Sequence, residues 1–366
     1  MRDISYLLGD EIPAPGELLP VADGIYWLRM GLPMQLDHIN LYVLEDEAGW
    51  WIVDTGMKTS DTRKHWRTLL DGPLAGKPVI GVLLTHLHPD HIGQAGWLCE
   101  RFDVLPSMSH GEYFQARTMS APTPEEGPSW AVRSFMRKLG LDPERLKRSG
   151  RKFRGMGALI EPLPGGFRRL RAADVLPIGG RQWQVHIGRG HSPEHVCLFD
   201  PAEKVLISGD QVIPKITSNV SVMPSEPYAN PLQDWLQSID EFMALPDECL
   251  ILPAHNAPFY GLHRRLTDLK VHHQQHLNEL LAAADKAQSA LEYLPVLFKR
   301  KLDDSSIFLA LGECLAHLNY LLEQGRMLRE VDAEGTWRFV RHPDIPKPEI
   351  IAESGIKETE VVIQEV

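Results

Sequence analysis

The run Thr85-His86-Leu87-His88-Pro89-Asp90-His91 places four side chains able to bind a metal within six positions. The apolar stretch ahead of it, Gly81-Val82-Leu83-Leu84, has the length and composition of a buried strand. On a strand, His86 and His88 point to one side, because side chains alternate with period two. Pro89 stops regular pairing, and the turn that follows swings Asp90 and His91 toward a second point. A single ion is satisfied by three or four ligands, so two separated pairs predict two ions. Imidazole and carboxylate ligands without thiolate suit zinc, and also iron or manganese. Two such cations about 3.5–4 Å apart share a water, lower its pKa and leave a hydroxide at neutral pH. One ion then polarises a substrate carbonyl while the other steadies the leaving group.

Four further motifs flank this run in order: Val53-Asp54-Thr55-Gly56, Gly190-His191-Ser192-Pro193-Glu194-His195, Ser208-Gly209-Asp210 and Pro253-Ala254-His255. With the HxHxDH run they resemble the metallo-β-lactamase superfamily across residues 20–262. Each motif alone is weak; five in order are specific. The resemblance implies that His86, His88 and His191 hold one metal, that Asp90, His91 and His255 hold the other, and that Asp210 bridges them. It also implies attack by a metal-bridging hydroxide on an ester or thioester carbonyl, as in the glyoxalase II and thioesterase branches. Asp90 is the candidate catalytic residue, able to exchange a proton with the bridging water or the leaving group. Asp54 and His195, with Glu194, are expected behind the ligands, since a metal-bound histidine usually donates its other N–H to such a group. Glu194 stands where the thioesterase and lactonase branches often carry a small residue.

Patterning supplies the elements that must hold these side chains. Residues 24–31, 39–45 and 49–54 read as short strands, with Asp46-Glu47-Ala48-Gly49 as a hairpin-like connection. Trp66, Leu69 and Leu70 predict a helix over 61–71. A strand over 79–84 delivers the metal run, and the stretch from Ile92 to Leu98 opens a helix. Further strands are expected at 183–187, 195–199, 204–208 and 249–252. Every ligand then sits at a strand end or on an adjoining loop, where a rigid scaffold fixes it. The class is α+β, and the resemblance implies an αββα sandwich over residues 1–262.

A chain of 366 residues, 43 % apolar, can bury a sizeable core and is long enough for two domains. No stretch approaches about 20 apolar residues, so no membrane span is expected. Met1 to Ser5 lack the apolar core of a signal peptide. Cys99, Cys197, Cys249 and Cys314 are scattered, which predicts buried, reduced thiols in a cytoplasmic protein.

Residues of about 106–172 form an insertion that the metal core does not require. From Arg133 to Arg171 it carries 12 Lys and Arg against 3 acidic residues, in a chain of net charge −11. Such a local excess points to a charged partner. Arg148 and Arg151 are its candidates for holding the phosphates or carboxylates of an anionic small molecule, acyl-coenzyme A among them. A solvated helical surface and a nucleic-acid track are the other readings. The proline-rich stretch 214–235 follows Asp210 and is expected to border the substrate, with Tyr228 and Asn219 as candidate donors to a developing oxyanion.

Beyond Leu262 the pattern is helical over 263–286, 288–298 and 305–324, then a hairpin over 327–340 turning at Asp332-Ala333-Glu334-Gly335. Three helices and a hairpin resemble the small winged-helix domain appended to some hydrolases of the superfamily; here it covers 263–341, before an acidic tail over 342–366. Its charges nearly cancel, which argues against DNA binding and for a packing or homodimer element beside the pocket. His272 and His276 are i,i+4 neighbours able to chelate. With the core ligand set complete, however, His263, His272, His273 and His276 are expected on a solvated helix face. A dinuclear hydrolase of anionic esters or thioesters is the leading function. A metal-dependent nuclease or phosphodiesterase, a lactonase and a non-hydrolytic redox role are the alternatives. Only the 133–171 segment is basic, against a nuclease, and no flavodoxin-like region follows the metal core, against the redox role.

Overall fold

Alternation is plain in the strand Arg181–Gly188, where Trp183, Val185 and Ile187 turn inward and their neighbours stay partly exposed. In the computed structural model, which describes residues 1–121, 128–142, 156–299, 302 and 306–349, this strand belongs to one of two seven-stranded sheets. One sheet runs, in spatial order, Leu19–Ala22, Ile25–Gly31, His38–Glu45, Trp50–Val53, Val79–Leu83, Pro106–Met108 and Arg168–Arg169. The other runs Ser5–Tyr6, Phe259–Tyr260, Leu250–Pro253, Val205–Gly209, His195–Asp200, Arg181–Gly188 and Val175–Ile178.

The sheets meet through Trp27, Tyr42, Leu44 and Val53 on one side and Trp183, Val185, Ile207 and Leu252 on the other. Trp66, Leu69 and Leu98, from the helices Ser60–Asp71 and Ala95–Phe102, cover the outside of the first sheet. The helices Pro231–Phe242 and Leu262–Ala283 cover the outside of the second. This is the αββα sandwich of the expected α+β class. Among the described residues, no helix is long and apolar enough to cross a membrane. All four cysteines are buried and free.

The central strands fall within about two residues of their expected limits. The strands Ser5–Tyr6, Leu19–Ala22, Pro106–Met108, Arg168–Arg169, Val175–Ile178 and Phe259–Tyr260 were not expected. At two to four residues they are too short to display alternation, and partners remote in sequence complete them. The helix expected over 92–98 is two helices, Pro89–Ile92 and Ala95–Phe102. The chain between them passes so close to the Asp54 turn that a Cβ on Gly93 would lie 2.3 Å from the Lys58 nitrogen.

Three helices, Leu262–Ala283, Ala290–Leu297 and Ser306–Glu323, and the antiparallel hairpin of Met327–Val331 with Trp337–Arg341 form the C-terminal region. Its core continues without a break into that of the sandwich: Trp235 and Ile239 belong to the same apolar cluster as Leu277, Leu311, Leu315, Trp337 and Phe339. The histidine expectation fails here. His273 and His276 are buried, because they lie on the side of the helix Leu262–Ala283 that packs against Pro231–Phe242 and Ser306–Glu323, while Val271, Gln274 and Gln275 take the exposed side. His263 and His272 stay partly exposed, His263 with its Nε2 2.8 Å from the Leu245 carbonyl oxygen. The part of the acidic tail beyond residue 349 lies outside the described residues.

Candidate metal centre

The strand Val79–Leu83 ends before the metal run, so His86 and His88 stand on the loop beyond it and not on the strand itself. Pro89 then opens the one-turn helix Pro89–Ile92 at its first position, with His88 at the N-cap. A missing N–H costs nothing there, and the fixed φ of proline suits it. That single turn aims Asp90 and His91 away from the preceding pair. Asp210 follows the strand Val205–Gly209, His255 follows Leu250–Pro253, and His191 sits in the turn between Arg181–Gly188 and His195–Asp200. Gly209 has φ +52°, and a Cβ there would lie 2.5 Å from the His195 ring. Glycine is required at that corner.

Two groups of candidate ligands result. His86, His88, His191 and Asp210 each offer an atom within 4.8 Å of the others, and so do Asp90, His91 and His255. His86 Nε2 is 2.9 Å from His88 Nδ1 and 3.3 Å from His191 Nε2. Asp210 lies between the groups: Oδ2 is 3.3 Å from His191 Nε2 and 3.5 Å from His91 Nε2, and Oδ1 is 3.3 Å from His255 Nε2. Asp90 Oδ2 lies 3.6 Å from His91 Nε2 and 3.5 Å from His255 Nε2. The Nε2 atoms of His91 and His255 are buried without a hydrogen-bond partner, which a folded protein rarely tolerates in a site that stays empty. The donor set, imidazole and carboxylate around two adjoining points, fits divalent cations.

Charge supports that fit. Burial pushes His86 well below the usual imidazole range and His88 down to about 3, so both rings are neutral with a lone pair to give. Burial acts on His91 in the same direction, but the carboxylates of Asp90, Asp54 and Asp210 override it and hold that ring well above its ordinary value. His255 is raised in the same way by Asp210 and Asp90. The second group thus carries surplus negative charge that a proton or a metal ion can satisfy.

Behind the ligands, the rings of His91, His191 and His255 are each held by the other nitrogen. Asp54 Oδ2 accepts from His91 Nδ1 at 2.7 Å and from the Thr85 hydroxyl at 2.7 Å, while Oδ1 accepts from the Thr85 amide. The His191 Nδ1 donates to the Asn219 carbonyl at 2.7 Å, and the His255 Nδ1 to the His38 carbonyl at 2.8 Å. His195 faces Asp210 from behind, its Nε2 accepting from the Asp210 amide at 3.1 Å. The Ser218 hydroxyl donates to the Asp210 carbonyl, and the buried Arg265 guanidinium donates to the carbonyls of Ile213 and Ile216 on the same loop.

Sequence reasoning missed Glu112. It is fully buried in the first turn of the helix His110–Ser120. It accepts from the Leu87 amide, the Ser192 hydroxyl and the Glu194 amide at 2.7–2.9 Å, so one carboxyl ties the HxHxDH loop to the His191 loop. Burial pushes that carboxyl up to about 7. A glutamate in a first helical turn gives no sequence signal of this. Glu194 serves the same junction, accepting from the Gly111 amide at 2.7 Å.

Both oxyanion candidates have other partners in the structure. Asn219 spends its carbonyl on His191, and its side-chain amide donates to Glu313 at 3.0 Å, so it acts through the ligand. Tyr228 is 61 % exposed and packs on Trp337 at 5.3 Å between Lys138 and Arg329. Its surroundings are the C-terminal hairpin and the helix Trp130–Lys138. Arg148 and Arg151 lie outside the described residues.

A family model described as the metallo-beta-lactamase superfamily matches residues 34–255, and one described as a metallo-beta-lactamase-like C-terminal domain matches residues 277–342. The chain belongs to the metallo-beta-lactamase superfamily. A superfamily structure titled as a beta-lactamase domain protein from Burkholderia ambifaria is 41 % identical, with 93 % of this chain and 97 % of that one covered and a TM-score of 0.83. A metallo-beta-lactamase family protein from Thermus thermophilus is 28 % identical, with 88 % and 100 % covered and a TM-score of 0.73. The acyl-coenzyme A thioesterase MBLAC2 of Gallus gallus is 25 % identical over 243 residues, 64 % of this chain and 79 % of the relative. Membership of this hydrolytic superfamily makes the chain a metal-dependent hydrolase.

Proposed function

We propose that the chain is a dinuclear metal hydrolase acting on a thioester or ester carbonyl, with acyl-coenzyme A-like anionic substrates preferred. The observation that carries this reading is the position of Asp210, whose carboxylate lies 3.3–3.5 Å from ring nitrogens of both ligand groups. In it, His86, His88 and His191 hold one divalent cation, Asp90, His91 and His255 the other, and Asp210 spans both. Zinc suits these donors, as do iron and manganese. Bound cations there supply a low-pKa water and polarise the acyl carbonyl.

The chain's own groups do the rest. Hydrogen bonds from the remote nitrogens of His91, His191 and His255 fix each tautomer, so the site-facing nitrogen presents a lone pair. Asp90, at the edge of the cluster and partly accessible, takes a proton from the attacking water and returns it to the leaving group. The name of the thioesterase relative favours a thioester, and the basic 133–171 segment favours an anionic acyl carrier.

The test is a panel run with and without chelator: acyl-coenzyme A thioesters, lactones, bis(p-nitrophenyl) phosphate and a short RNA. Chelator-sensitive thioester cleavage is expected, with charge reversal at Arg148 and Arg151 raising KM more than it lowers kcat. Cleavage of phosphodiesters alone would overturn the reading.

A further inference from the structure

A second set of metal-binding side chains lies away from this centre, between the helices Leu262–Ala283 and Ser306–Glu323. His272 and His276 are one turn apart on the first helix, and Glu313 projects from the second. A ring nitrogen from each histidine and a carboxylate oxygen of Glu313 lie within 4.8 Å of one another. We infer that these three residues form a third metal site, for a single divalent transition-metal cation that clamps the two helices together.

Unpartnered nitrogens carry the argument. His272 Nε2 and His276 Nδ1 are buried with no hydrogen-bond partner. A polar atom buried in that way is costly, on the order of 1–3 kcal/mol, and two of them beside a buried carboxylate are hard to explain as packing. Glu313 is 1 % exposed, and the one hydrogen bond its carboxylate accepts among the described residues comes from Asn219. Burying a carboxylate without a compensating charge is costly. A cation satisfies all three groups at once. Two histidines and a carboxylate with further positions open are a donor set suited to zinc, iron(II) or cobalt(II). Ligands drawn from facing helices at i,i+4 spacing are a common way to build such a site in a bundle.

The neighbouring histidines support the site without joining it. His317 Nδ1 donates to the Glu313 carbonyl at 2.9 Å, which leaves its Nε2 as an acceptor. His273 Nδ1 donates to that Nε2 at 3.1 Å. His317, accepting at Nε2, is therefore neutral, and both rings are fixed in place. In a tetrahedral site with bonds of about 2.0–2.1 Å, ligand atoms stand about 3.4 Å apart, a contraction that small side-chain rotations supply.

The full-length protein is stripped with chelator, loaded with excess zinc or cobalt(II), desalted, and its metal counted by elemental mass spectrometry. The parent is expected to hold one ion per chain more than His272→Asn/His276→Asn, and one more than Glu313→Gln. The same comparison in a His88→Ala/His91→Ala/Asp210→Asn background, which breaks both groups of the dinuclear centre, separates this site from it: one ion per chain remains there, and His276→Asn removes it. Cobalt(II) absorption in that background gives a direct spectrum of the bound ion, and circular dichroism checks that each variant is folded. Equal metal content in parent and folded variants, with no cobalt(II) band in the background protein, would overturn the proposal and leave a buried histidine cluster.

Discussion

Asp54 and His91 pair directly behind the candidate centre, with Oδ2 accepting from Nδ1 at 2.7 Å and both side chains almost wholly buried. Asp54 makes this contact from a left-handed backbone conformation, φ +60°, which an aspartate adopts only at some cost. Its carboxylate also receives the Thr85 amide and hydroxyl. One residue from the first motif thus orients a candidate ligand and anchors the start of the metal run. Asp54→Asn is expected to cost about 10–100-fold in metal affinity or turnover, read by metal titration alongside kinetics. Unchanged affinity would remove Asp54 from any role at the centre.

His88→Ala and Asp210→Asn each delete a candidate ligand. Turnover is expected to fall to background in both, with loss of bound metal measured in the same samples. Retention of activity by the His88 variant would sink the dinuclear mechanism.

Glu112 supplies a pH signature. Its carboxyl is raised from an ordinary 4.5 to about 7 by burial. A carboxyl whose folded pKa lies above its unfolded one stabilises the fold fully below the unfolded value, and that contribution is lost as pH rises to the folded value. Chelator-treated protein is therefore expected to lose stability between about pH 4.5 and pH 7 relative to Glu112→Gln, by on the order of 3 kcal/mol at most. Denaturant melts of both proteins across that range measure it, and parallel curves would refute it.

Arg265 ties the C-terminal region to the loop after Asp210. Its guanidinium donates to the carbonyls of Ile213 and Ile216 from a site only 4 % exposed. Arg265→Met leaves two acceptors unpaired, and a loss of about 2–4 kcal/mol is expected in urea melts. Since the same loop holds Ser218 against the Asp210 carbonyl, kcat is expected to fall with it. A drop in stability with wild-type kcat would confine Arg265 to folding.

The metal run and its four companion motifs were legible because metal chemistry restricts residue type at each position. Strand alternation placed most of the central strands for a similar reason. What stayed hidden depends on contacts distant in sequence. Glu112 reads as an ordinary helix-opening glutamate until the Leu87 and Ser192 loops close over it. Asn219 reads as a loop donor until His191 and Glu313 claim both of its ends. His273 and His276 read as a solvated face because nothing local reveals that two helices would enclose theirs.

The unbroken apolar cluster from Trp235 to Phe339 predicts one cooperative melting transition for the sandwich and the C-terminal helices together. Cutting the chain near residue 262 would bare the outer layer of the second sheet and unseat Arg265 in one step. The appended region therefore cannot be exchanged between enzymes like a cassette. Arg265 and Glu313 reach the loop after Asp210 and the carbonyl-bearing Asn219 behind His191, so these two positions of the C-terminal helices and the candidate centre are expected to evolve together.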